Sequence, residues 1–100
     1  MFLIIWEFYT TPDREEEFES AYGTEGIWVT LFRKGTGYLR TEFLKDPRTE
    51  HRYVTIDMWT SQEEYETFKE HFHQEYALID RQCESSTVSE RFIGSFKIQE

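Results

Sequence analysis

Apolar and polar positions divide the chain into segments of two different periods. Residues 2 to 9, FLIIWEFY, are β-branched and aromatic with almost no break, as a strand covered on both faces would be. Thr11 can cap a following helix, Pro12 suits its first position, and Asp13 and Glu15 suit its first turn. Phe18, Ala21 and Tyr22 give that helix one apolar face, and Gly23 ends it. In GIWVTLFRKG, Ile27, Trp28, Leu31 and Phe32 recur at helical spacing between Thr24 and Gly35, against the strand preference of Val29 and Thr30. The spacing predicts a short helix.

GYLRTEFLKD, 37 to 46, alternates, with Leu39, Thr41 and Phe43 on one side and Tyr38, Arg40, Glu42 and Leu44 on the other. Asp46-Pro47-Arg48-Thr49 reads as a turn. RYVTIDMWT, 52 to 60, puts Val54, Ile56 and Met58 on one face and Tyr53, Thr55, Asp57 and Trp59 on the other, completing a hairpin. Ser61 and Glu64 form a capping box, so a helix can begin directly after that strand. Tyr65, Phe68, Phe72, Tyr76 and Ile79 follow at helical intervals, fading through ALIDRQCESSTVSE into a polar connection. RFIGSFKI, 91 to 98, is the last strand. The order is that of an α+β, ferredoxin-like split βαβ domain over residues 1–100, with a four-stranded antiparallel sheet. Helices cover one sheet face. The other is expected to carry Tyr38, Tyr53 and Trp59 beside Arg40, Glu42 and Asp57, too aromatic for water and too charged for a closed core. A second copy of the sheet would cover it, making a homodimer.

Composition narrows the partners. Nine Phe, six Tyr and three Trp in 100 residues can fill a core with few side chains. A net charge of −9 and the lack of a Lys/Arg cluster argue against nucleic acid and anionic membrane surfaces. Cys83 is the only cysteine, which fits a reducing, cytoplasmic setting, and no apolar run reaches membrane-spanning length. MFLIIWEFY lacks the basic start and cleavage site of a signal peptide.

RYVTIDMWTSQEEYETF, with its strand-Trp-Ser-helix junction, GIWVTLFRKGTGYLRTEFLKD before it, and the ending YALIDRQCESSTVSERFIGSF resemble the antibiotic biosynthesis monooxygenase (ABM) family of the dimeric α+β barrel superfamily. The resemblance implies two sheets packed face to face across a dimer, and in each subunit a cavity between helices and sheet. Trp59 would then anchor the strand-to-helix junction or the dimer contact at the sheet edge. Cofactor-free members of this family oxidise polycyclic aromatic compounds with molecular oxygen, the substrate supplying the electrons. The implied activity is a cofactor-independent monooxygenase on a small aromatic or quinone-like ligand. Its pocket residues would be Trp28, Phe32, Thr41, Phe68 and Phe72, with Tyr22 and Tyr65 as hydroxyl donors and His71 as a proton carrier. The alternatives are a non-catalytic ligand-binding module and a structural dimer whose aromatics only fill the core.

The haem-degrading branch of the family carries an Asn on the first strand, then a Trp and a haem-ligating His on the long helix. Aligned on Trp59, these places hold Trp6 or Glu7, Phe68 and a residue near Leu78, and none matches. His71 and His73 lie about 200° apart on a helix and cannot share an ion, so no metal site is expected. Arg40, Glu42, Asp57 and Glu7 are expected to form an intersubunit ion network. Cys83 lacks an evident base, and KGTG at 34 to 37 is too short for a phosphate loop.

Overall fold

The computed structural model describes residues 1–99. Its elements are β1 (Phe2–Thr10), α1 (Glu15–Tyr22), α2 (Ile27–Phe32), β2 (Tyr38–Lys45), β3 (Arg52–Trp59), α3 (Gln62–His71), α4 (His73–Cys83) and β4 (Thr87–Lys97). The strands form one antiparallel sheet in the order β2-β3-β1-β4, the ferredoxin-like arrangement that the element order predicts. β1 and β3 are the inner strands, which suits the nearly unbroken apolar run of residues 2 to 9.

Local chemistry fixes most boundaries. Pro12 opens a single 3-10 turn before α1, but the Thr11 hydroxyl donates to the Ser85 carbonyl at 3.0 Å instead of capping the helix. Asp46 Oδ1 accepts from the backbone N–H groups of Arg48 and Thr49, at 2.9 and 3.1 Å, closing the β2–β3 turn. Ser61 Oγ accepts from the Glu64 N–H at 3.1 Å, while the Glu64 carboxylate accepts from Thr36 at 2.8 Å. Half of the capping box is therefore used to tie the α2–β2 loop to α3. That loop runs so close that a Cβ on Gly37 would stand 2.3 Å from Glu64 Cβ.

The long helix expected after Ser61 is two helices. Phe72, at φ −110° and ψ 24°, breaks it, and His73 Nδ1 lies 3.0 Å from the Glu70 carbonyl, donating into the ladder at the bend. The tail from residue 77, expected as weaker helix fading into a polar connection, is the rest of α4, one 3-10 turn and the start of β4, which begins at Thr87 and not at 91.

The faces of β3 are opposite to the expected ones. Tyr53, Thr55, Asp57 and Trp59 are buried under the helices, and Val54, Ile56 and Met58 point to the open side. Trp59 is 0% exposed, packed on Phe32, Tyr38, Tyr65 and Phe68. Tyr53 lies between Phe18 and Phe43, with its hydroxyl on Glu19. The large rings fill the thick layer between sheet and helices, and the aliphatic residues take the thin side. An irregularity between Tyr38 and Arg40 also turns Tyr38 to the same side as Thr41. Tyr38, Tyr53, Asp57 and Trp59 are thus withdrawn from the proposed dimer face, while Arg40 and Glu42 remain on the open side as an exposed pair at 3.0 Å.

No helix covers that open face. Leu3, Ile5, Val54, Ile56 and Met58 form its half-buried centre, with exposed Leu44 and Phe96 beside them. Glu7 crosses three strands there, accepting from Arg52 on β3 at 2.7 Å and from Arg91 on β4 at 3.0 Å. The network expected to join Arg40, Glu42, Asp57 and Glu7 is not formed among the described residues of the chain: Glu7 pairs with Arg52 and Arg91, Arg40 with Glu42 alone, and Asp57 lies on the other face.

Candidate active site

A cavity of about 290 Å³ lies between the helices and the sheet. Its floor is the middle of the sheet, with Trp6 and Phe8 from β1, Thr41 from β2, and Thr55 and Asp57 from β3. Tyr22 of α1 and Trp28, Val29 and Phe32 of α2 form one wall. Lys69 of α3 and Tyr76 and Asp80 of α4 form the other, and Glu90 of β4 completes the rim. Trp28, Phe32, Thr41 and Tyr22 are therefore brought together as expected. Phe68 and Phe72 do not join them: Phe68 packs on Trp59 and Phe32 inside the core, and Phe72 packs on Phe68 at the helix break. Tyr65 packs against Phe2 and Trp59, and His71 is exposed, both outside the lining.

Asp57 is the residue that sequence reasoning assigned elsewhere. It sits in mid-sheet, opposite Ile4 on β1 and Thr41 on β2, and is 8% exposed. Thr41 Oγ1 donates to Asp57 Oδ1 at 2.7 Å, and the Tyr38 hydroxyl lies 2.8 Å from the same Thr41 oxygen. With its one proton committed to Asp57, Thr41 must accept from Tyr38, so a chain of hydroxyls leads to the carboxylate. No donor among the described residues reaches Oδ2, and this oxygen is not sealed in protein, so it opens on the cavity. Burial pushes the Asp57 carboxyl up to about 6, against the stabilising hydrogen bond from Thr41. The phase that pairs Asp57 with Tyr53 and Trp59 on one face was the available signal.

Other groups grade the polarity from floor to rim. Burial, and then the charge of Glu90, raises the Tyr22 phenol, whose hydroxyl donates to Glu90 at 3.2 Å. Trp28 is buried and its Nε1 makes no hydrogen bond of good geometry, although it comes near enough to Tyr22 and Cys83 to favour their charged forms. Burial lowers the pKa of Lys69, whose Nζ stands 3.6 Å from the Tyr76 ring centroid. Cys83 is buried with its thiol pushed up by desolvation, the opposite of an activated nucleophile. Among the described residues no group of three or more His, Cys, Asp and Glu side chains converges on a metal site. None of their helices is long and apolar enough to cross a membrane.

Residues 1–77 match the family model described as antibiotic biosynthesis monooxygenase. The chain belongs to the ABM family. A search of curated proteins finds no match. Among solved structures, it is similar to SnoaB, a cofactor-independent oxygenase from Streptomyces nogalater, at 16% identity and a TM-score of 0.80 over 99% of this chain and 93% of that one. A candidate antibiotic biosynthesis monooxygenase from Nitrosomonas europaea matches over 100% of both chains, with 16% identity and a TM-score of 0.75. A MhuD variant with two manganese protoporphyrin IX molecules bound per active site matches at 14% identity and a TM-score of 0.72, over 98% and 94% of the chains. At these identities the likeness is one of fold, the α+β fold of the dimeric α+β barrels. The ABM cavity here has no histidine in its lining, unlike what a histidine-ligated haem would require.

Proposed function

We propose that this ABM protein is a cofactor-independent monooxygenase acting on a small aromatic or quinone-like compound, with Asp57 as its general base. The single observation behind this is a buried carboxylate at the floor of an aromatic cavity, with one oxygen held by Thr41 and the other free for a ligand. A pKa of about 6 suits a base near neutral pH, because the group is ionised yet holds a proton well once it has one. The cavity volume lies at the lower end of the range of about 300–1,000 Å³ usual for ligand sites, which favours a few fused rings.

The chemistry follows from that placement. Asp57 takes a proton from an activated methylene of the bound ring, and the carbanion passes one electron to molecular oxygen. The resulting radical and superoxide combine into a peroxide, which regains the proton from Asp57. Loss of water then leaves a carbonyl, so one oxygen atom enters the substrate and the other leaves as water. The Lys69 ammonium in the wall favours the anionic intermediates. Thr41 and Tyr38 can carry the proton along their hydroxyl chain.

The open sheet face supports a homodimer, with the aliphatic centre of one sheet against that of a second copy and the Glu7 ion cluster and the Arg40–Glu42 pair around it. The test is oxygen uptake with a panel of fused-ring phenols, hydroquinones and ketones bearing an activated methylene. Turnover should fall by about 10²-fold or more in Asp57→Asn while the far-UV circular dichroism is unchanged. Full activity in that variant would remove Asp57 as the base. Ligand-dependent thermal stabilisation without any oxygen uptake would make the protein a binding module instead.

A further inference from the structure

We infer that the ligand of this cavity is an aromatic compound bearing a protonated amine, with its rings between the walls and its ammonium at Asp80 and Glu90. This rests on the reading of the cavity as an aromatic-ligand site. The lining holds three carboxylates, Asp57, Asp80 and Glu90, against one ammonium, Lys69. Lys69 offsets only part of this charge: it is attracted to Asp80 without a close ion pair, and its Nζ rests on the Tyr76 ring at 3.6 Å, so the lining keeps a surplus of carboxylates. Glu90 is likewise bonded only to neutral hydroxyls, those of Tyr22 at 3.2 Å and Thr87 at 3.4 Å. Burial and then the charge of Asp80 raise the Glu90 carboxyl, so the two rim acids repel each other.

An anionic or neutral ligand leaves that repulsion in place, and a cation relieves it. The half-buried ring of Trp6 also lines the cavity and offers a cation its π face. A second observation points to a ligand at the other end, the Asp57 oxygen that opens on the cavity with no protein donor while the residue is 8% exposed. A hydroxyl or activated C–H of the ring meets that oxygen while the amine stays at the rim. Both rim acids lie in residues 78–100, outside the stretch matched to the ABM family model. The net charge of −9 adds a long-range pull on cations at low salt.

The experiment is calorimetric titration of the full chain with three probes sharing one ring system, naphthylethylamine, its N-acetyl derivative and naphthylpropionate. The amine should bind about five- to tenfold more tightly than the amide, as expected for two exposed charge contacts, and the carboxylate should bind least. The advantage should shrink in high salt with the wild-type protein and vanish in the double variant Asp80→Asn/Glu90→Gln, whose changes are confined to exposed side chains. Equal binding of amine and amide, or an advantage that survives the double variant, overturns the amine assignment and leaves the aromatic site standing. Binding of none of the three overturns both.

Discussion

Replacing Asp57 by Asn should stabilise the protein at neutral pH while removing the proposed oxygenase activity. The carboxyl has an ordinary pKa of 3.8 when the chain is unfolded and about 6 when it is folded. Between these values the native state binds more protons than the unfolded one, so stability falls as pH rises through that window. The rise is about two pH units, and at ~1.4 kcal/mol per unit the cost at pH 7 is on the order of 3 kcal/mol. Solvent screening offers little relief, because the side chain is buried in mid-sheet. Asn keeps an oxygen for the Thr41 hydroxyl and carries no charge, so the variant escapes the cost. Urea unfolding at fixed protein concentration, repeated from pH 4 to pH 8, gives the difference between variant and wild type with the other titrating groups cancelled. The expected curve is near zero at pH 4 and climbs through pH 5 and 6 to a plateau of about 3 kcal/mol in favour of the variant. A flat difference, or a variant less stable at pH 7, would refute the assignment of a desolvated carboxylate to this position.

The Thr41 hydroxyl lowers the Asp57 pKa, so Thr41→Val should raise it from about 6 by about one unit, read by carboxyl carbon NMR, and should shift the activity profile to higher pH. Gly37→Ala should cost about 1–3 kcal/mol in urea unfolding, because the new Cβ would press on Glu64 Cβ and part the α2–β2 loop from α3. Ile56→Lys, at the centre of the open sheet face, should turn the proposed homodimer into monomers in analytical ultracentrifugation while the circular dichroism is retained. Trp28→Ala should abolish binding of the naphthyl probes and destabilise the fold by about 3–5 kcal/mol, since the ring is buried between Tyr22, Phe32 and Tyr76.

Elements with one dominant local signal were legible in the sequence. The β2–β3 hairpin follows from its alternation and from Asp46, and α3 starts where Ser61 announces it. The face that β3 shows to the helices was not legible, because both of its phases are plausible cores. Val54, Ile56 and Met58 are the more hydrophobic set, but Tyr53 and Trp59 are the larger, and volume decides what fills the gap between sheet and helix. One residue of phase moved Asp57 from a supposed ion network to the floor of the cavity. Alternation could not foresee that Tyr38 and Thr41, three positions apart, share a face, since that needs the irregularity beside Arg40. Phe68 and Phe72 were drawn into the pocket by a helical stripe that continues on paper. In the molecule the stripe continues past the bend at Phe72, but Phe68 and Phe72 are spent on the core, and Lys69, Tyr76 and Asp80 take the wall.

Most of the cavity floor is carried by the inner strands β1 and β3, which cannot shift without unzipping the sheet, whereas Asp80 and Glu90 hang at the doorway from the last quarter of the chain. Drift at the doorway can therefore retune which molecules are admitted without disturbing the buried carboxylate below. A lineage could exchange one guest for another by a few surface changes, and its members would keep a common engine behind unlike locks.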